Sequence, residues 1–577
     1  MKRLTLLFCV LLALVASLGA KEKVVKLKIV QTSDIHGDFY SHNFLSHQST
    51  RGGLARISSF VKEARQCYGD RLLLFDNGDL LQGQPDAYYY NYMDTVAPHL
   101  AAEMLNYMGY NVANMGNHDV ETGRRVFERY AADCHFPLLG ANIVDTHTGQ
   151  PFFPPYAVFV RQGVKVVVLG MITPAIPVWL PENLWQGLRF DDMEETARKW
   201  MEIIRRKEQP DVVVGLFHAG RKAQMLGGQY REDASEEVAT RVPGFDVVLV
   251  GHDHQRDCKV LTTAQGDSVW LLDPASNGLV VSEVDLTLKL RHGKVTDKRV
   301  DARLTSVSDY EPDADFLSRF DAQRKEVEGF ISETIGYMGT TITTRDAYFG
   351  SSAFVDLIHR LQLAISGAQI SLASSLSFDV SICEGDIRVS DMFNLYKYEN
   401  LLYVMQLTGK EIRQLLEMSY DLWTVQMQSP DDRLLKLTSS SWDGQKRLSF
   451  QNYSFNFDSA AGIIYTVDVT KPRGEKIHIE RMADGSPFSE EQTYRVALNS
   501  YRGNGGGDLL TQGAGIAQDK LKERIVWSTD KDLRYYLMQY IRQNGLSDLS
   551  PLDNWKFVPE EWVQPASKRD YRLLFGE

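Results

Sequence analysis

The sequence predicts a layered α/β domain followed by a second domain of the α+β class. Short apolar, β-rich runs recur through the first half of the chain, amphipathic helical stretches alternate with them, and the pattern changes near residue 313. Continuous apolar strands of this length are typical of sheets that are covered on both faces. At 577 residues, the chain is long enough for two large domains.

Each strand predicted in the first domain is an apolar run that ends at a polar turn. These runs are Leu27–Thr32, Leu72–Phe75, Val164–Leu169, Val212–Phe217, Val247–Val250 and Val269–Leu272. The helices predicted between them are Leu54–Arg65, Leu100–Met108 and Met193–Arg206. This alternation indicates sheet and helix layers that pack around a common core.

The second domain begins after a charged segment with helical periodicity. Apolar residues between Asp313 and Ser332 repeat at helical spacing, which predicts a connecting amphipathic helix. Beyond it we predict helices at Ser352–Leu363 and Gly409–Tyr420, and strands at Ile463–Val469 and Tyr494–Asn499. The predicted division is a signal segment at 1–20, a first domain at 24–305, a linker helix at 306–336 and a second domain at 337–577.

The amino terminus has the pattern of an export signal. Lys2 and Arg3 precede an apolar run from Leu4 to Ala16, and small residues follow around Ala20. The run is too short to span a bilayer comfortably, so we expect no stable transmembrane segment once the signal is removed. A retained membrane anchor is the alternative. We expect an exported protein, periplasmic or at the cell surface.

Charge and cysteine content exclude several classes of function. The formal net charge of −12 argues against binding to a nucleic acid polymer. An anionic substrate would therefore need a local positive feature, such as a metal ion or an arginine pocket. Cys67, Cys134, Cys258 and Cys383 form no CxxC pair, which argues against a thiolate metal cluster and favours buried free thiols.

Polar side chains follow four of the strands predicted above for the first domain and a fifth predicted strand, Asn111–Met115. The candidate metal ligands among them are Asp34, His36, Asp79, Asn117, His218, His252 and His254. Open α/β sheets collect their sites at the carboxyl ends of strands. Seven oxygen and imidazole donors suit two adjacent divalent ions, and Asp79, alone at its strand end, is the candidate bridge. Imidazole with carboxylate favours Zn, Mn, Fe or Co over Ca.

These motifs resemble those of a known enzyme family. The stretches SDIHG, GGLARI, DNGDLLQGQP, GNHDVETG, FHAG and GHDH, with GDIRVSDMFNLYKYENLL, LTGKEI and NGGGD further on, are similar to the 5′-nucleotidase family of calcineurin-like metallophosphoesterases. The resemblance implies a four-layer α/β/β/α metallophosphoesterase domain followed by an α+β 5′-nucleotidase C-terminal domain. It also implies that Asp34, His36, Asp79 and His254 hold one ion, and that Asp79, Asn117, His218 and His252 hold the other.

The resemblance also implies a catalytic pair. His118 matches the family's catalytic histidine, and Glu121 stands where the family commonly has an aspartate that orients this ring. A carboxylate that merely stabilises the first turn of a helix is the alternative for Glu121. Because two cations lower the pKa of a water and grip phosphoryl oxygens, we expect in-line attack on phosphorus, with His118 stabilising the transition state.

The second domain, in this resemblance, binds the substrate. Phe457 and Tyr501 would stack on opposite faces of a base, Asp508 would bind ribose hydroxyls, and Arg345 would bind phosphate. Core packing is the alternative for each aromatic residue.

One segment departs from the family pattern where phosphate should be held. The family's NGGGIR segment is replaced by Ser374–Asp379, and Asp379 would repel a phosphate. Arg388 and Lys397 are candidate substitutes. The reaction class is therefore better supported than the substrate.

We expect an exported dinuclear-metal phosphohydrolase that acts on nucleotides, with 5′-nucleotidase activity as the first candidate. A 2′,3′-cyclic-nucleotide phosphodiesterase or UDP-sugar hydrolase with the same site is the neighbouring alternative. An inactive nucleoside-binding surface protein is the alternative of another class, and the intact metal motifs and His118 argue against it. The sequence leaves the oligomeric state open.

Overall fold

The computed structural model describes residues 22–226, 230–442, 445–546 and 549–576. These form two units: one runs through Pro177 and continues over Glu182–Val327, and the other contains Val178–Pro181 and continues from Glu328. The division at Val327 falls inside the predicted linker range of 306–336, and the limits 24–305 and 337–577 remain predictions. The predicted signal at 1–20 lies outside the described residues.

Unit 1 contains two six-stranded mixed sheets. Their twelve strands are β1 Lys23–Thr32, β2 Leu72–Asp76, β3 Val112–Asn114, β4 Leu138–Leu139, β5 Tyr156–Arg161, β6 Val164–Ile172, β7 Val212–His218, β8 Val247–Val250, β9 Arg256–Thr262, β10 Ser268–Pro274, β11 Val280–Arg291 and β12 Lys294–Ser306. The first sheet has the order β12-β11-β1-β2-β3-β4, and the second has the order β9-β10-β8-β7-β6-β5. Strands β1 to β4 run parallel, as do β6, β7, β8 and β10, whereas β5, β9, β11 and β12 pair antiparallel. The central strands are therefore parallel in both sheets, as the continuous apolar runs predict.

Helices cover the outer faces of these sheets. The helices up to the linker are α1 Leu54–Tyr68, α2 Pro85–Tyr88, α3 Leu100–Met108, α4 Asn117–Glu121, α5 Arg124–Asp133, α6 Ile176–Trp179, α7 Met193–Lys207, α8 Ser235–Arg241, α9 Ala314–Arg319 and α10 Asp321–Ile331. Side chains of both sheets share one core, in which Ile29 and Val112 meet Val166 and Leu216. Helices α7 and α8 bury their apolar faces on the other side of the second sheet, and α1 packs beside β2. The predicted four-layer α/β/β/α arrangement is confirmed.

The predicted single linker helix is instead two helices. The carboxylate of Asp313 accepts hydrogen bonds from the N–H groups of Asp315 and Phe316 and so begins α9. Phe320 then leaves the helical region, with φ −109° and ψ 15°, before α10 starts. Its ring is buried and packs against Phe316 and Tyr107, which fixes the break.

Unit 2 is built on a five-stranded sheet of order β15-β13-β18-β14-β19 and a three-stranded sheet of order β17-β16-β20. Their strands are β13 Ile370–Ala373, β14 Leu402–Thr408, β15 Ser459–Ala461, β16 Ile463–Asp468, β17 Ile477–Met482, β18 Thr493–Asn499, β19 Ile525–Ser528 and β20 Trp555–Val558, and the helices are α11 Ala353–Ser366, α12 Val389–Leu395, α13 Gly409–Trp423, α14 Ser500–Gly503, α15 Leu521–Arg524, α16 Leu533–Asn544 and α17 Glu560–Phe575. Mixed sheets with helices around an aromatic-rich core confirm the α+β prediction.

Short antiparallel pairs complete the strands of both units. They are His42–Asn43 with Gln48–Ser49, Ile143–Asp145 with Leu188–Phe190, Gln224–Leu226 with Tyr230–Glu232, Thr334–Met338 with Gly385–Arg388, Ile342–Thr343 with Ser381–Ile382, and Leu437–Trp442 with Gln445–Phe450. Within the described ranges, no helix is both long and apolar enough to cross a bilayer. The four cysteines within the described residues are free thiols, but Cys67 and Cys383 are exposed, so the expectation of burial is wrong for these two.

Candidate metal centre

The strand ends of unit 1 converge on one cluster of loops. Asp34 and His36 follow β1, and Asp79 follows β2. Asn117 and His118 follow β3, His218 is the last residue of β7, and His252 and His254 follow β8. The backbone N–H groups of Asp34 and His36 donate to the carbonyls of Gly78 and Asp79, at 3.0 Å each. The two loops after β1 and β2 are thereby fixed against each other.

Most of the candidate ligands have a left-handed backbone. Positive φ angles of 50° to 80° occur at Asp34, His36, Asp79, His252 and His254. Residues other than glycine rarely adopt this conformation, which costs about 1–3 kcal/mol at each position and persists only where the surroundings enforce it. Five such residues in one loop cluster indicate that the fold is organised around the position of these side chains.

The first group of donors consists of Asp34, His36, Asp79 and His254. One donor atom from each of these side chains lies within 4.8 Å of the others. The Nε2 atoms of His36 and His254 are 2.9 Å apart, and Nε2 of His254 is 3.3 Å from Oδ1 of Asp34. These donors therefore surround a volume of the size of a single ion.

The second group shares Asp79 with the first. Asp79, His218 and His252 also have donor atoms within 4.8 Å of one another. Oδ2 of Asp79 is 3.2 Å from Nε2 of His218, and Oδ1 of Asn117 lies 3.1 Å from the same nitrogen and 2.7 Å from Nδ1 of His252. The structure thus brings all seven predicted ligands together in two groups that meet at Asp79.

The electrostatics of these buried side chains suit cation binding. Burial alone would raise the pKa of Asp79, but His218 and His118 outweigh it and hold that pKa well below its usual value. Burial lowers the pKa of His36 to about 4, so its ring is neutral near pH 7. Burial opposes charge on His218 as well, yet Asp79 and Asp34 raise its pKa to about 10. The two carboxylates therefore stabilise positive charge at this position, as a divalent cation requires.

Asp119 connects the loops that carry the shared ligand and the catalytic candidate. Its carboxylate accepts hydrogen bonds from the backbone N–H groups of Asp79, Leu80 and Leu81 at 3.0 Å and of Gly116 at 2.8 Å. No role is predicted for Asp119 from the sequence, although it belongs to the GNHD motif. A side chain that accepts hydrogen bonds from backbone N–H groups leaves no periodic pattern in the sequence, so only the structure shows this role.

His118 and Glu121 form the predicted pair at the edge of this centre. Nδ1 of His118 donates to Oε2 of Glu121 at 2.5 Å, and the backbone N–H of His118 donates to Oδ1 of Asp79 at 2.8 Å. Burial alone would lower the pKa of His118, but Asp79 and Glu121 outweigh it and raise that pKa to about 9. In its protonated form the imidazole can donate from Nε2 toward an oxyanion.

In unit 2, Arg345 already has an anionic partner. Its Nε and Nη2 donate to the two carboxylate oxygens of Asp379 at 2.7 and 3.1 Å, and its guanidinium lies 5.0 Å from the ring centre of Phe575. Asp379, the residue that departs from the family pattern, thus neutralises the arginine expected to bind phosphate.

Phe457 occupies a different place from the one predicted. It is only 3% exposed, and its ring stacks on Trp423 with centres 5.4 Å apart while the edge of Phe450 packs against it. A ring enclosed in this way offers no free face to a base, so the base-stacking assignment of Phe457 is not retained. Its side chain belongs to the core because it lies where the chain enters β15.

Two half-buried aromatic residues lie nearer the surface of unit 2. The ring of Phe455 meets Tyr501 edge to face at 6.1 Å and stacks on Tyr453 at 5.1 Å. Asp508 is exposed, has a φ of 62°, and accepts a hydrogen bond from Oγ1 of Thr511 at 3.2 Å. Phe455 is a candidate that is not predicted from the sequence, where stacking is assigned to Phe457, two positions later.

Comparisons with known proteins agree with this architecture. Residues 27–256 match the family described as calcineurin-like phosphoesterase, and residues 329–512 match the 5′-nucleotidase C-terminal domain. A 2′,3′-cyclic-nucleotide 2′-phosphodiesterase/3′-nucleotidase from Yersinia enterocolitica is 26% identical over 97% of this chain and 92% of its own length. The trifunctional nucleotide phosphoesterase protein YfkN from Bacillus subtilis is 26% identical over 93% of this chain, which spans 39% of that protein.

The fold also recurs among solved structures. A Staphylococcus aureus protein crystallised with alpha-ketoglutarate matches with a TM-score of 0.74 at 21% sequence identity. The match covers 92% of this chain and 100% of that one. Both units therefore follow an architecture that is already known from experiment.

Proposed function

Because the chain belongs to the calcineurin-like phosphoesterases that carry a 5′-nucleotidase C-terminal domain, we propose that it hydrolyses phosphate esters of nucleosides at a centre of two divalent ions. The observation that carries this proposal is that Asp79 belongs to two groups of donors. Within each group, the donor atoms lie within 4.8 Å of one another. Imidazole, carboxylate and amide donors fit Zn, Mn, Fe or Co.

In this proposal each ion has four protein ligands. Asp34, His36, Asp79 and His254 would hold one ion, and Asp79, Asn117, His218 and His252 would hold the other. When bound, the ions supply Lewis acidity, which lowers the pKa of a water and neutralises phosphoryl oxygens.

His118 and Glu121 supply the remaining chemistry from the chain itself. The proton on Nδ1 of His118 is held by Glu121, which keeps the ring oriented and stabilises its positive charge. Nε2 is then free to donate a proton toward a phosphoryl or leaving-group oxygen as negative charge develops there. Glu121 would therefore act through His118, without contact with the substrate.

For the substrate, we place 2′,3′-cyclic and 3′-nucleotides first. The relative named for those activities aligns with almost the full length of both chains. In addition, the Arg345–Asp379 ion pair leaves the predicted phosphate-binding arginine neutralised. Phe455 and Tyr501, with Asp508 nearby, would bind the nucleoside in unit 2.

5′-Nucleotidase activity remains the second candidate, because the C-terminal domain matches the family named for it. A substrate panel in the presence of Mn²⁺ tests the order: 2′,3′-cyclic AMP, 3′-AMP, 5′-AMP and UDP-glucose. We expect the first two to be turned over fastest. Binding of adenosine without hydrolysis of any of the four would instead support an inactive nucleoside-binding protein.

We also propose that the protein is exported, on the strength of the sequence pattern at its amino terminus. The mass of the protein recovered from the periplasm or medium of an expressing bacterium tests this. Cleavage near residue 20 supports export, and a full-length protein in the membrane fraction would support the retained anchor.

A further inference from the structure

Glu232 is a buried carboxylate beside the proposed metal centre, and the proposed reaction does not use it. It is the last residue of the strand Tyr230–Glu232 and pairs in register with Gln224 of the strand Gln224–Leu226. Its side chain is 8% exposed. A buried carboxylate needs a specific partner to offset the loss of hydration.

That partner is one of the proposed metal ligands. Oε1 of Glu232 lies 3.0 Å from Nε2 of His252, and Oε2 accepts a hydrogen bond from Nε2 of Gln224 at 3.1 Å. On the opposite side of the same imidazole, Nδ1 lies 2.7 Å from Oδ1 of Asn117, toward Asp79 and His218. One ring nitrogen of His252 therefore faces the centre, and the other faces Glu232, with Oδ1 of Asp233 farther away at 3.7 Å.

The chemistry of imidazole makes this arrangement directional. A neutral ring carries one proton, so a proton on Nε2 leaves the lone pair of Nδ1 free to bind a cation. The carboxylate of Glu232 can only accept, and it thus favours the tautomer with the proton on Nε2.

We propose that Glu232 is a positioning residue for the second ion: it orients His252 and keeps its Nδ1 available beside Asp79, Asn117 and His218. This inference rests on the proposed two-ion centre. Carboxylates that hold a metal-binding imidazole typically contribute 10- to 100-fold in metal affinity.

The effect should be confined to one of the two ions. In the first group, Nδ1 of His36 is buried and has no hydrogen-bond partner within the described residues. Nδ1 of His218 is fixed by the carbonyl of Asn77 at 2.7 Å, without a carboxylate. Loss of Glu232 should therefore weaken the ion held by His252 and leave the ion held by His36 and His254 in place.

The test uses the full-length protein, freed of metal and titrated with Mn²⁺ against a chelating indicator, with bound metal counted after dialysis. We expect two ions in the wild type. In Glu232→Gln, we expect one of them to bind about 10- to 100-fold more weakly. An amide at this position would keep its oxygen toward Gln224 and turn its NH₂ toward Nε2 of His252, which favours the wrong tautomer.

Glu236→Gln is the matched control, because it removes the same charge from a carboxylate that pairs with Lys259 at 2.6 Å. It should bind both ions as the wild type does. Glu232→Ala tests the same loss without the competing amide, and thermal unfolding of the metal-free proteins shows whether each variant is folded. Glu232→Asp should recover part of the lost affinity.

A double-mutant cycle with His252→Ala shows whether Glu232 acts through this ring. If it does, Glu232→Gln costs no further affinity once His252 is alanine. Unchanged affinities in folded Glu232→Gln and Glu232→Ala, or an equal loss in the His252→Ala background, would overturn the role of Glu232. Fewer than two ions in the wild type would instead overturn the two-ion centre itself.

Discussion

The candidate metal centre of unit 1 and the predicted substrate-binding residues of unit 2 differ in how directly the sequence indicates them. In unit 1, all seven predicted ligands meet in two groups that share Asp79. In unit 2, Phe457 is enclosed in the core and Arg345 is paired with Asp379, while Phe455 has the position nearer the surface. The donors that the family resemblance implies as ligands therefore lie together, whereas Phe457 and Arg345, implied as substrate contacts, are already engaged by other side chains.

The difference follows from what fixes each side chain. Ligands directly after parallel strands are brought together by the sheet, and the turn between strand and ligand is too short to allow another position. An aromatic residue on an irregular segment can face either the core or the surface. Phe457 faces the core, whereas Phe455, two positions earlier, lies nearer the surface. Burial decides between them, and burial depends on residues distant in sequence such as Trp423.

The largest effect that we expect is from Asp79→Ala, because it removes a ligand from both donor groups at once. Several kcal/mol of transition-state stabilisation depend on the ions, so kcat/KM should fall by at least about 1,000-fold. Steady-state kinetics at saturating Mn²⁺ measure it, with Asp301→Ala on the exposed hairpin as the control. Rates near those of the wild type would show that Asp79 is not shared.

His118→Ala should leave the metal ligands in place and still reduce kcat by about 100- to 10,000-fold, because a positioned proton donor is lost. Metal content measured on the same preparation separates this from loss of the ions. Glu121→Gln should follow with a smaller loss of kcat, since the ring keeps a hydrogen-bond acceptor without its charge. If His118→Ala lost its metal as well, the histidine would belong to the centre as a ligand.

The aromatic residues of unit 2 sharpen the contrast between surface and core. Phe455→Ala and Tyr501→Ala should each raise KM by about 5- to 150-fold at nearly unchanged stability, the equivalent of 1–3 kcal/mol of base stacking. Phe457→Ala should instead lower the free energy of unfolding by about 3–5 kcal/mol, as expected for a buried phenylalanine. Denaturant unfolding and KM measured together distinguish the two patterns. A raised KM in a fully stable Phe457→Ala would restore Phe457 as a stacking residue.

The smallest effect should come from Arg345→Ala. Its ion pair with Asp379 is partly exposed, so the free energy of unfolding should change by no more than about 1 kcal/mol. Because Arg345 is already neutralised, KM for 3′-AMP should change little. A large increase of KM in Arg345→Ala, together with a decrease of KM in Asp379→Ala, would show that Arg345 binds phosphate during turnover.

Much of the fold of unit 1 could be predicted, because its central strands are uninterrupted apolar runs bounded by polar turns. The edge strands β5, β9 and β12 consist mostly of exposed and half-buried residues and are not among the predicted strands. The linker was predicted as one helix because the periodicity continues through Phe320, and only the packing of that ring reveals the break. Glu232 and Asp119 could not be found from spacing, since Glu232 meets His252 across 20 positions of the chain and Asp119 accepts from backbone N–H groups.

The most direct test of the two-ion centre is anomalous diffraction from crystals of the full chain grown with Mn²⁺. We predict two anomalous peaks, each within bonding distance of the carboxylate of Asp79. One lies beside His36 and His254, and the other lies beside His218 and His252. A single peak, or two peaks of which only one touches Asp79, would contradict this prediction.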